Sequence, residues 1–259
     1  MDQERIQHSI LKTLLYYDIF SHPLKMDELY TFLPKNTVPK SDIYKAIEKH
    51  SASDECKFNI KNGYVYIVPK SENIEMRIER EEFAKKMWKI TRYIVHIIKR
   101  FPFVRSIMVT GSLSKNCCTK ESDLDFMVIT QKDRLWISRT LLMLFKKIFL
   151  LNSYKYFCVN MFITEDALEI EDKNIFTATE VATVRGVFNA QLMKKFLEKN
   201  KWVNDFFPNY TRGDTYLHSA GFKVNNRKSY FQKIIELFFI GKIGNKINKV
   251  YKIEDCVTE

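Results

Sequence analysis

The sequence predicts an α+β protein: a small helical module with a β-hairpin, then a mixed sheet with helices packed on one side, then a helical tail. Three observations predict this. Apolar residues recur at helical spacing near the N-terminus, two short apolar runs flank Asn62-Gly63, and strand-length apolar runs later alternate with long amphipathic stretches. The 259 residues, 46% of them hydrophobic, suffice for one large core or two modest ones. The expected segments are 1–72, 73–200 and 201–259.

The first segment is expected to hold three helices and a hairpin. Apolar side chains fall at helical spacing over 4–20 and again over 24–33, and Ser41 can cap a third helix over 42–50. Two short apolar runs then meet at Asn62-Gly63, a dipeptide that favours a two-residue hairpin turn. Three helices followed by a two-stranded wing are typical of a winged-helix module.

The net charge of +11 is distributed unevenly along the chain. Residues 1–75 carry 10 Lys/Arg and 11 Asp/Glu, residues 76–200 carry 22 and 14, and residues 201–259 carry 10 and 6. Most proteins that read DNA present a basic face, so the near-neutral first segment disfavours DNA as a partner, although lysines in its third helix leave DNA contact open. The basic remainder suits a polyanion such as a nucleoside triphosphate or RNA, or it is a solvated lysine-rich surface.

The second segment is expected to begin with a long helix over 72–100 and to continue as a small sheet interleaved with helices. Its apolar runs and amphipathic stretches predict, in order, a strand, a turn, a strand, a helix, a strand and a helix. The strands are expected at 106–110, 123–130 and 154–164, and the two helices at 133–150 and 176–199.

The most informative residues lie between the first two of these strands. The first strand ends in Gly111-Ser112, and the second begins with Asp123-Leu124-Asp125. Residues two apart on a strand point to the same face, so Asp123 and Asp125 are expected to project together and to share a divalent metal. Glycine at 111 lets the backbone approach a phosphate, and Ser112 adds a hydroxyl and an N–H. The pattern therefore predicts a phosphate site beside a metal-binding carboxylate pair.

Three further polar residues belong to the candidate site. Lys115 and Ser122, on either side of the loop, complete the candidate nucleotide-binding set with Gly111 and Ser112, although a solvated loop lysine is the alternative for Lys115. Arg139 has apolar sequence neighbours, and a buried arginine needs a partner. It is interpreted as support for the site, as a triphosphate ligand, or as a member of a surface salt bridge.

At these residues the chain resembles the nucleotidyltransferase superfamily of the DNA polymerase beta type, and most of all its minimal bacterial branch. That family carries Gly-Ser, about ten residues, and Asp-x-Asp. The resemblance covers residues 76–200. It implies a nucleotidyltransferase fold and an enzyme that uses Mg²⁺, with Mn²⁺ as an alternative. Such an enzyme moves a nucleoside monophosphate from a nucleoside triphosphate to a hydroxyl of an unknown acceptor: a small molecule, a protein or an RNA end. Asp123 and Asp125 would then be the catalytic residues and hold the metal.

The chain departs from the family at the third carboxylate, which usually lies on the neighbouring strand. The matching strand here has no acid, and Asn160 is the only strongly polar residue at its centre. Two interpretations stay open: Asn160 is a weakened ligand in a site with one tightly held ion, or it is a structural amide in a slow or inactive enzyme. The alternative function is therefore a nucleotide-sensing or DNA-binding regulator with a catalytically weak or inactive nucleotidyltransferase fold.

The tail carries apolar residues at helical spacing over 230–251 with lysines between them. We interpret it as a helix that packs on the catalytic core, on a second copy of the chain or on a partner protein, with a membrane-surface helix as the alternative. No apolar run is long enough for a transmembrane segment, and the N-terminus lacks a signal sequence. Five cysteines without metal-ligand spacing indicate free thiols, so a cytoplasmic location is expected.

Overall fold

A computed structural model of the chain describes residues 3–34, 39–53, 56–150, 155–211 and 230–239. The chain forms two compact units that combine helices and strands. Unit 1 comprises Met1–Phe83, Asp172–Ala182 and Lys201–Arg212, and unit 2 comprises Ala84–Glu171, Thr183–Asn200 and Gly213–Glu259. The two units therefore interleave along the chain, whereas the sequence pattern suggested three contiguous segments, 1–72, 73–200 and 201–259.

Unit 1 begins with three helices and a small antiparallel sheet. The helices are α1 (Gln3–Asp18), α2 (Met26–Thr31) and α3 (Lys40–Ser51), and the strands are β1 (Leu24–Lys25), β2 (Phe58–Lys61) and β3 (Tyr64–Ile67). The sheet order is β1-β3-β2. Asn62 and Gly63 both have positive φ, 54° and 79°, as the two-residue hairpin turn requires. The three predicted helices and the hairpin are confirmed.

The start of α3 differs from the prediction. The helix begins at Lys40 with Pro39 at the N-cap, and no side chain caps it. Ser41 lies inside the first turn, where its Oγ donates a hydrogen bond to the carboxylate of Asp42 at 3.4 Å, so the predicted Ser41 cap is wrong. Proline before the first helical residue already has the φ that a helix start needs, which explains why the helix begins earlier.

A buried arginine joins the long helix α4 (Glu72–Ile98) to the first elements of unit 1. The Arg77 side chain is 1% exposed. It donates to Glu28 Oε1 at 2.8 Å and to Glu81 Oε1 at 2.7 Å, and it contacts the ring of His22. Lys25 Nζ donates to the other oxygen of Glu81 at 2.8 Å. A buried charge needs such partners, so this cluster fixes α4 against α2 and β1.

Glu81 makes the stability of unit 1 dependent on pH. Burial raises the pKa of Glu81, but hydrogen bonds and charges from Lys25 and Arg77 outweigh it, so the pKa lies below its ordinary value of 4.5. A lowered pKa in the folded state gives stabilisation that is present above the ordinary value and lost as the pH falls through the folded-state value. Glu81→Gln is therefore expected to destabilise the protein at about pH 7, with a difference from wild type that shrinks below about pH 4. Urea unfolding of both proteins between about pH 3 and pH 7 checks this prediction. A difference in the free energy of unfolding that does not change with pH would contradict it.

Unit 2 is built on a four-stranded mixed sheet of order β6-β5-β4-β7. Strand β5 (Asp125–Thr130) pairs antiparallel with β4 (Val104–Val109) and parallel with β6 (Cys158–Thr164). Five of the six residues in each of β4 and β5 are buried, so both faces of these central strands are covered.

The fourth strand of the sheet was not predicted. The expected helix over 176–199 is instead α7 (Ile175–Thr183), β7 (Arg185–Phe188) and α8 (Ala190–Lys199). Strand β7 pairs antiparallel with β4. Asn189 then takes a left-handed conformation with φ 59°, and its side chain caps α8 by accepting from the N–H of Leu192. Val187 and Phe188 favour a strand, and pairing with the open edge of β4 forms it in spite of Gly186, a residue type that is depleted in strands.

The helix after β5 is α6 (Leu135–Phe149), and the described part of the first 211 residues also contains the short helices α5 (Gly111–Ser114) and α9 (Val203–Phe206). The described part of the tail is helix α10 (Tyr230–Phe239). Glu236 accepts from the N–H of Phe103 at 2.9 Å and pairs with Arg105 at 3.0 Å. The predicted packing of a tail helix on the core is confirmed for this part, and 240–251 lies outside the described residues.

In the part of the chain that the structure describes, we find no helix with the length and apolarity needed to cross a membrane.

Candidate active site

The Gly-Ser turn lies directly against one of the two predicted carboxylates. Gly111 follows β4 with φ +64°, a conformation that glycine adopts without strain. A Cβ at this position would overlap Oδ2 of Asp125 and would lie 3.1 Å from its Cγ. The backbone N–H of Thr110 also donates to the carbonyl of Asp125 at 3.1 Å. The absence of a side chain at 111 therefore lets the Asp125 carboxylate approach the backbone of the turn.

The burial of residues 123–125 alternates as it does in an extended segment. Leu124 extends the ladder beyond the first residue of β5: its N–H donates to Lys155 at 3.0 Å, and its carbonyl accepts from Cys158 at 3.0 Å. Leu124 is fully buried, whereas Asp123 and Asp125 are both partly exposed. In an extended segment this alternation places the two aspartates on one face, at the sheet edge where the Gly-Ser turn lies.

The loop between the two halves of the motif is held by its own polar side chains. Ser112 Oγ lies 3.6 Å from Cys118 Sγ, and Lys115 Nζ donates to the carbonyl of Gly111 at 3.2 Å. Ser122 Oγ accepts from the N–H of Thr119 at 2.9 Å. Ser112 and Lys115 thus lie at the turn, whereas Ser122 supports the loop that leads to Asp123.

Cys118 in this loop is not suited to nucleophilic chemistry. Burial raises the pKa of Cys118 to about 11, the hydrogen bond with Ser112 lowers it, and the charges of Cys117 and Asp125 raise it further. A thiol reacts as its thiolate, which Cys118 forms only well above neutral pH.

The residue beside Asp125 on the neighbouring strand is Cys158. Asp125 pairs with Cys158 and Phe126 with Val159, but the register then shifts so that Met127 pairs with Met161. Asn160 is the extra residue at this irregularity and is exposed. The structure therefore places a thiol in register with Asp125, and Asn160, the sequence candidate for the third position, opposite no residue of β5.

A lysine that sequence reasoning missed belongs to the same cluster. Lys146 on α6 is 4% exposed. Burial raises the pKa of Cys158, the carboxylate of Asp125 raises it further, Lys146 lowers it, and Asp123 raises it. The charges of both aspartates and of Lys146 therefore act on the Cys158 thiol.

Arg139 does not join this cluster. It is exposed, and its guanidinium lies 5.0 Å from the ring centroid of Trp136 on the same helix. Because α6 runs back along the sheet after β5, its first turns lie far from Asp125 and its last turns lie near it. The expectation that Arg139 is buried and needs a partner there is wrong.

Another basic residue, Arg185, lies next to the Gly111-Ser112 turn. Arg185 opens β7 and pairs with Val109, the last residue of β4. Its guanidinium lies 5.6 Å from the ring centroid of Trp88, and Trp88 Nε1 donates to Asn116 in the motif loop at 2.9 Å. Arg185 and Trp88 therefore support the loop after Gly111 from the β7 side of the sheet.

The carboxylate pair fits a magnesium ion only if a substrate supplies further ligands. Among the residues described by the structure, no group of three or more His, Cys, Asp or Glu side chains is placed to hold a metal. Mg²⁺ is commonly bound by one or two carboxylates together with substrate phosphates and water. Asp123 and Asp125, next to a turn with backbone N–H groups, meet that requirement.

Unit 1 contains a separate cavity of about 420 Å³. Aromatic side chains dominate its lining, with Lys12 and Asp205 as its charged members: Tyr16, Tyr17, Phe32, Phe206 and Phe207. An apolar cavity of this kind does not suit a triphosphate, because burying phosphate charge without polar partners is costly. The turn at Gly111 is therefore the better candidate for nucleotide.

The chain matches no protein-family model, no curated protein and no solved structure.

Proposed function

We propose that this protein is a Mg²⁺-dependent nucleotidyltransferase that moves a nucleoside monophosphate from a nucleoside triphosphate to a hydroxyl acceptor. The packing of Asp125 against the Cα of Gly111 carries the proposal. It brings the backbone of a turn suited to phosphate and a carboxylate suited to Mg²⁺ into direct contact, as transfer of a nucleotide requires.

Each residue of the site has a distinct part in this proposal. The backbone at Gly111 and the hydroxyl and N–H of Ser112 bind phosphate oxygens, and Lys115 adds positive charge beside them. Asp123 and Asp125 hold the ion through oxygen ligands. When bound, Mg²⁺ would neutralise the triphosphate and stabilise the pyrophosphate that leaves. The carboxylates also orient the acceptor hydroxyl toward the α-phosphorus.

Pyrophosphate release tests the proposal. Each of the four nucleoside triphosphates is incubated with the protein and Mg²⁺ or Mn²⁺, and the same samples are read for thermal stabilisation. Release with one triphosphate would name the donor, and stabilisation by one triphosphate without release would point to a missing acceptor or to a sensor. Neither signal with any triphosphate would overturn the proposal.

A nucleotide sensor is the second candidate, and the residue in register with Asp125 favours it. The neighbouring strand offers Cys158 there, and a neutral thiol is a poor Mg²⁺ ligand compared with a carboxylate. A sensor would bind triphosphate with the same turn and the same two aspartates but would release no pyrophosphate. Supplying candidate acceptors, such as short RNA and polyols, separates the two functions, because only a transferase gains turnover.

We further propose that the first part of unit 1 is a winged-helix module that does not read DNA. Three helices followed by the β2–β3 hairpin, with β1 paired on β3, support the module. Its lysines are partly neutralised within the unit: Lys40 pairs with Asp27 at 2.6 Å and Lys45 with Asp42 at 3.9 Å. A titration with duplex DNA of mixed sequence is expected to show only weak, salt-sensitive binding.

Gly111→Ala is expected to abolish stabilisation by triphosphate. The added methyl group overlaps the Asp125 carboxylate and displaces it, and the positive φ itself costs about 1–2 kcal/mol of folding stability. Thermal melts with and without triphosphate and Mn²⁺ measure both effects.

Gly63→Ala is the matched control for this prediction. Gly63 has φ +79°, but a Cβ there would meet no atom within 4 Å. It therefore carries the same kind of backbone strain without the collision, and its response to triphosphate should stay that of wild type. An equal loss of response in both variants would mean that backbone strain, not the contact with Asp125, explains the result.

A further inference from the structure

Lys146 occupies a position where a lysine is costly. The buried face of α6 is formed by Ile137, Ser138, Leu142 and Lys146, the last three at four-residue spacing. The neighbouring Lys147 is exposed, as a helix lysine ordinarily is. Burying an ammonium group is unfavourable unless negative charge lies close to it. The burial of Lys146 therefore indicates that negative charge is concentrated near the C-terminal end of α6.

The topology brings Lys146 to the two aspartates. Asp125 and Lys146 lie five and eleven residues from the connection between β5 and α6, and at strand and helix rises both distances are about 16 Å. The ring of Phe145 lies 5.8 Å from that of Phe157, so the last turns of α6, which carry Lys146, pack beside the start of β6, where Cys158 lies. Cys158 is in turn the register partner of Asp125.

The charges in this region do not match those of a two-metal site. Two ions close together require several carboxylates, because each ion brings two positive charges. In the described part of unit 2, strand β6 contributes the Cys158 thiol beside Asp125, and helix α6 contributes the buried cation Lys146. A second divalent ion at this place would meet Lys146 instead of a third carboxylate.

We infer that Lys146 supplies the positive charge that a second divalent ion supplies in two-metal phosphoryl transfer, so that the site takes one divalent ion. Its ammonium group would compensate the two aspartates before substrate binds and would contact the triphosphate afterwards. This inference rests on the proposed function for the identity of the substrate, and it assigns the site a buried lysine in place of the missing acid.

Two binding constants test the inference without turnover. Mn²⁺ binding to the protein alone is followed by the electron paramagnetic resonance of free Mn²⁺, and binding of inorganic tripolyphosphate in the presence of Mg²⁺ is followed by calorimetry. Wild type is expected to bind one Mn²⁺ per chain. Lys146→Met should bind Mn²⁺ at least about 10-fold more tightly, because a like charge is removed, and tripolyphosphate at least about 10-fold more weakly.

The opposite signs of the two shifts separate this role from a structural one. A variant that merely damaged the fold would bind both probes more weakly, and circular dichroism reports such damage directly. Lys147→Met, at the adjacent exposed position, should leave both constants within about twofold of wild type. Lys146→Arg keeps the charge and should preserve tripolyphosphate binding, which makes the test independent of whether the neutral variant folds.

Three results would overturn the inference: two Mn²⁺ ions bound per wild-type chain, unchanged or weaker Mn²⁺ binding in Lys146→Met, or unchanged tripolyphosphate binding in that variant. The failure of the proposed function gives a different pattern. Opposite shifts without pyrophosphate release from any nucleotide, also when the candidate acceptors are supplied, would leave the role of Lys146 standing and favour the sensor over the transferase. Pyrophosphate release without the opposite shifts in Mn²⁺ and tripolyphosphate binding would support the transferase and reject the role of Lys146.

Discussion

Asp125→Asn is expected to reduce pyrophosphate release by about 10³-fold or more, and Asp123→Asn to have an effect of similar size. Asparagine keeps the shape and one oxygen of the side chain but removes the charge that holds a divalent ion. A thousandfold loss corresponds to about 4 kcal/mol of barrier, which is within what an ion contributes to stabilising charge in phosphoryl transfer. The rate of release with the identified donor, measured at saturating Mg²⁺, gives the size of the effect.

Asp133→Asn is the matched control for both variants. Asp133 lies just beyond the other end of β5, is exposed and has φ 56°, a conformation that asparagine tolerates well. The same chemical change is made there without touching the site, so release should remain at the wild-type rate. A comparable loss in Asp133→Asn, or full activity in Asp125→Asn, would remove the carboxylate pair from the chemistry.

Elements with a local cause could be predicted from the sequence. Asn62-Gly63 specifies the β2–β3 turn by itself, because both residues accept positive φ. Helix α1 is set by its apolar stripe, whose members Ile6, Ile10 and Leu14 are all buried. Strand β7 depends instead on the edge that β4 offers, and the helical patterns on both sides of Arg185–Phe188 concealed it.

The residues of the candidate site likewise fall into those set by local spacing and those set by strand pairing. The Gly-Ser turn and the alternation of Asp123 and Asp125 about a buried Leu124 follow from local spacing, and the structure shows Gly111 directly against Asp125. The register irregularity after Val159 follows from pairing between β5 and β6, so the sequence alone pointed to Asn160 instead of Cys158. Lys146 did carry a usable signal, because it continues the four-residue spacing of Ser138 and Leu142 on the apolar face of α6.

Arg77→Met is expected to lower the free energy of unfolding by about 3 kcal/mol, the largest stability change predicted for this chain. Methionine can fill much of the space, but Glu28 and Glu81 are then left without the cation that lies between them. The estimate is at the lower end for a broken buried pair, because these side chains are 31% and 20% exposed and Lys25 still pairs with Glu81. Urea unfolding read from Trp202 in a Trp88→Phe/Trp136→Phe background reports on unit 1.

Two further variants decide whether charge or packing causes this loss. Lys40→Met breaks the exposed pair with Asp27, whose side chains are 48% and 84% exposed, and should cost less than about 1 kcal/mol. Adding Glu28→Gln to Arg77→Met removes one uncompensated carboxylate but keeps an oxygen for the N–H of Lys25, which Glu28 accepts at 2.9 Å. The double variant should therefore be more stable than Arg77→Met alone. If the destabilising effects of the two substitutions instead add, the cavity left by the guanidinium explains the loss of stability. The carboxylates then do not need Arg77 as a compensating charge.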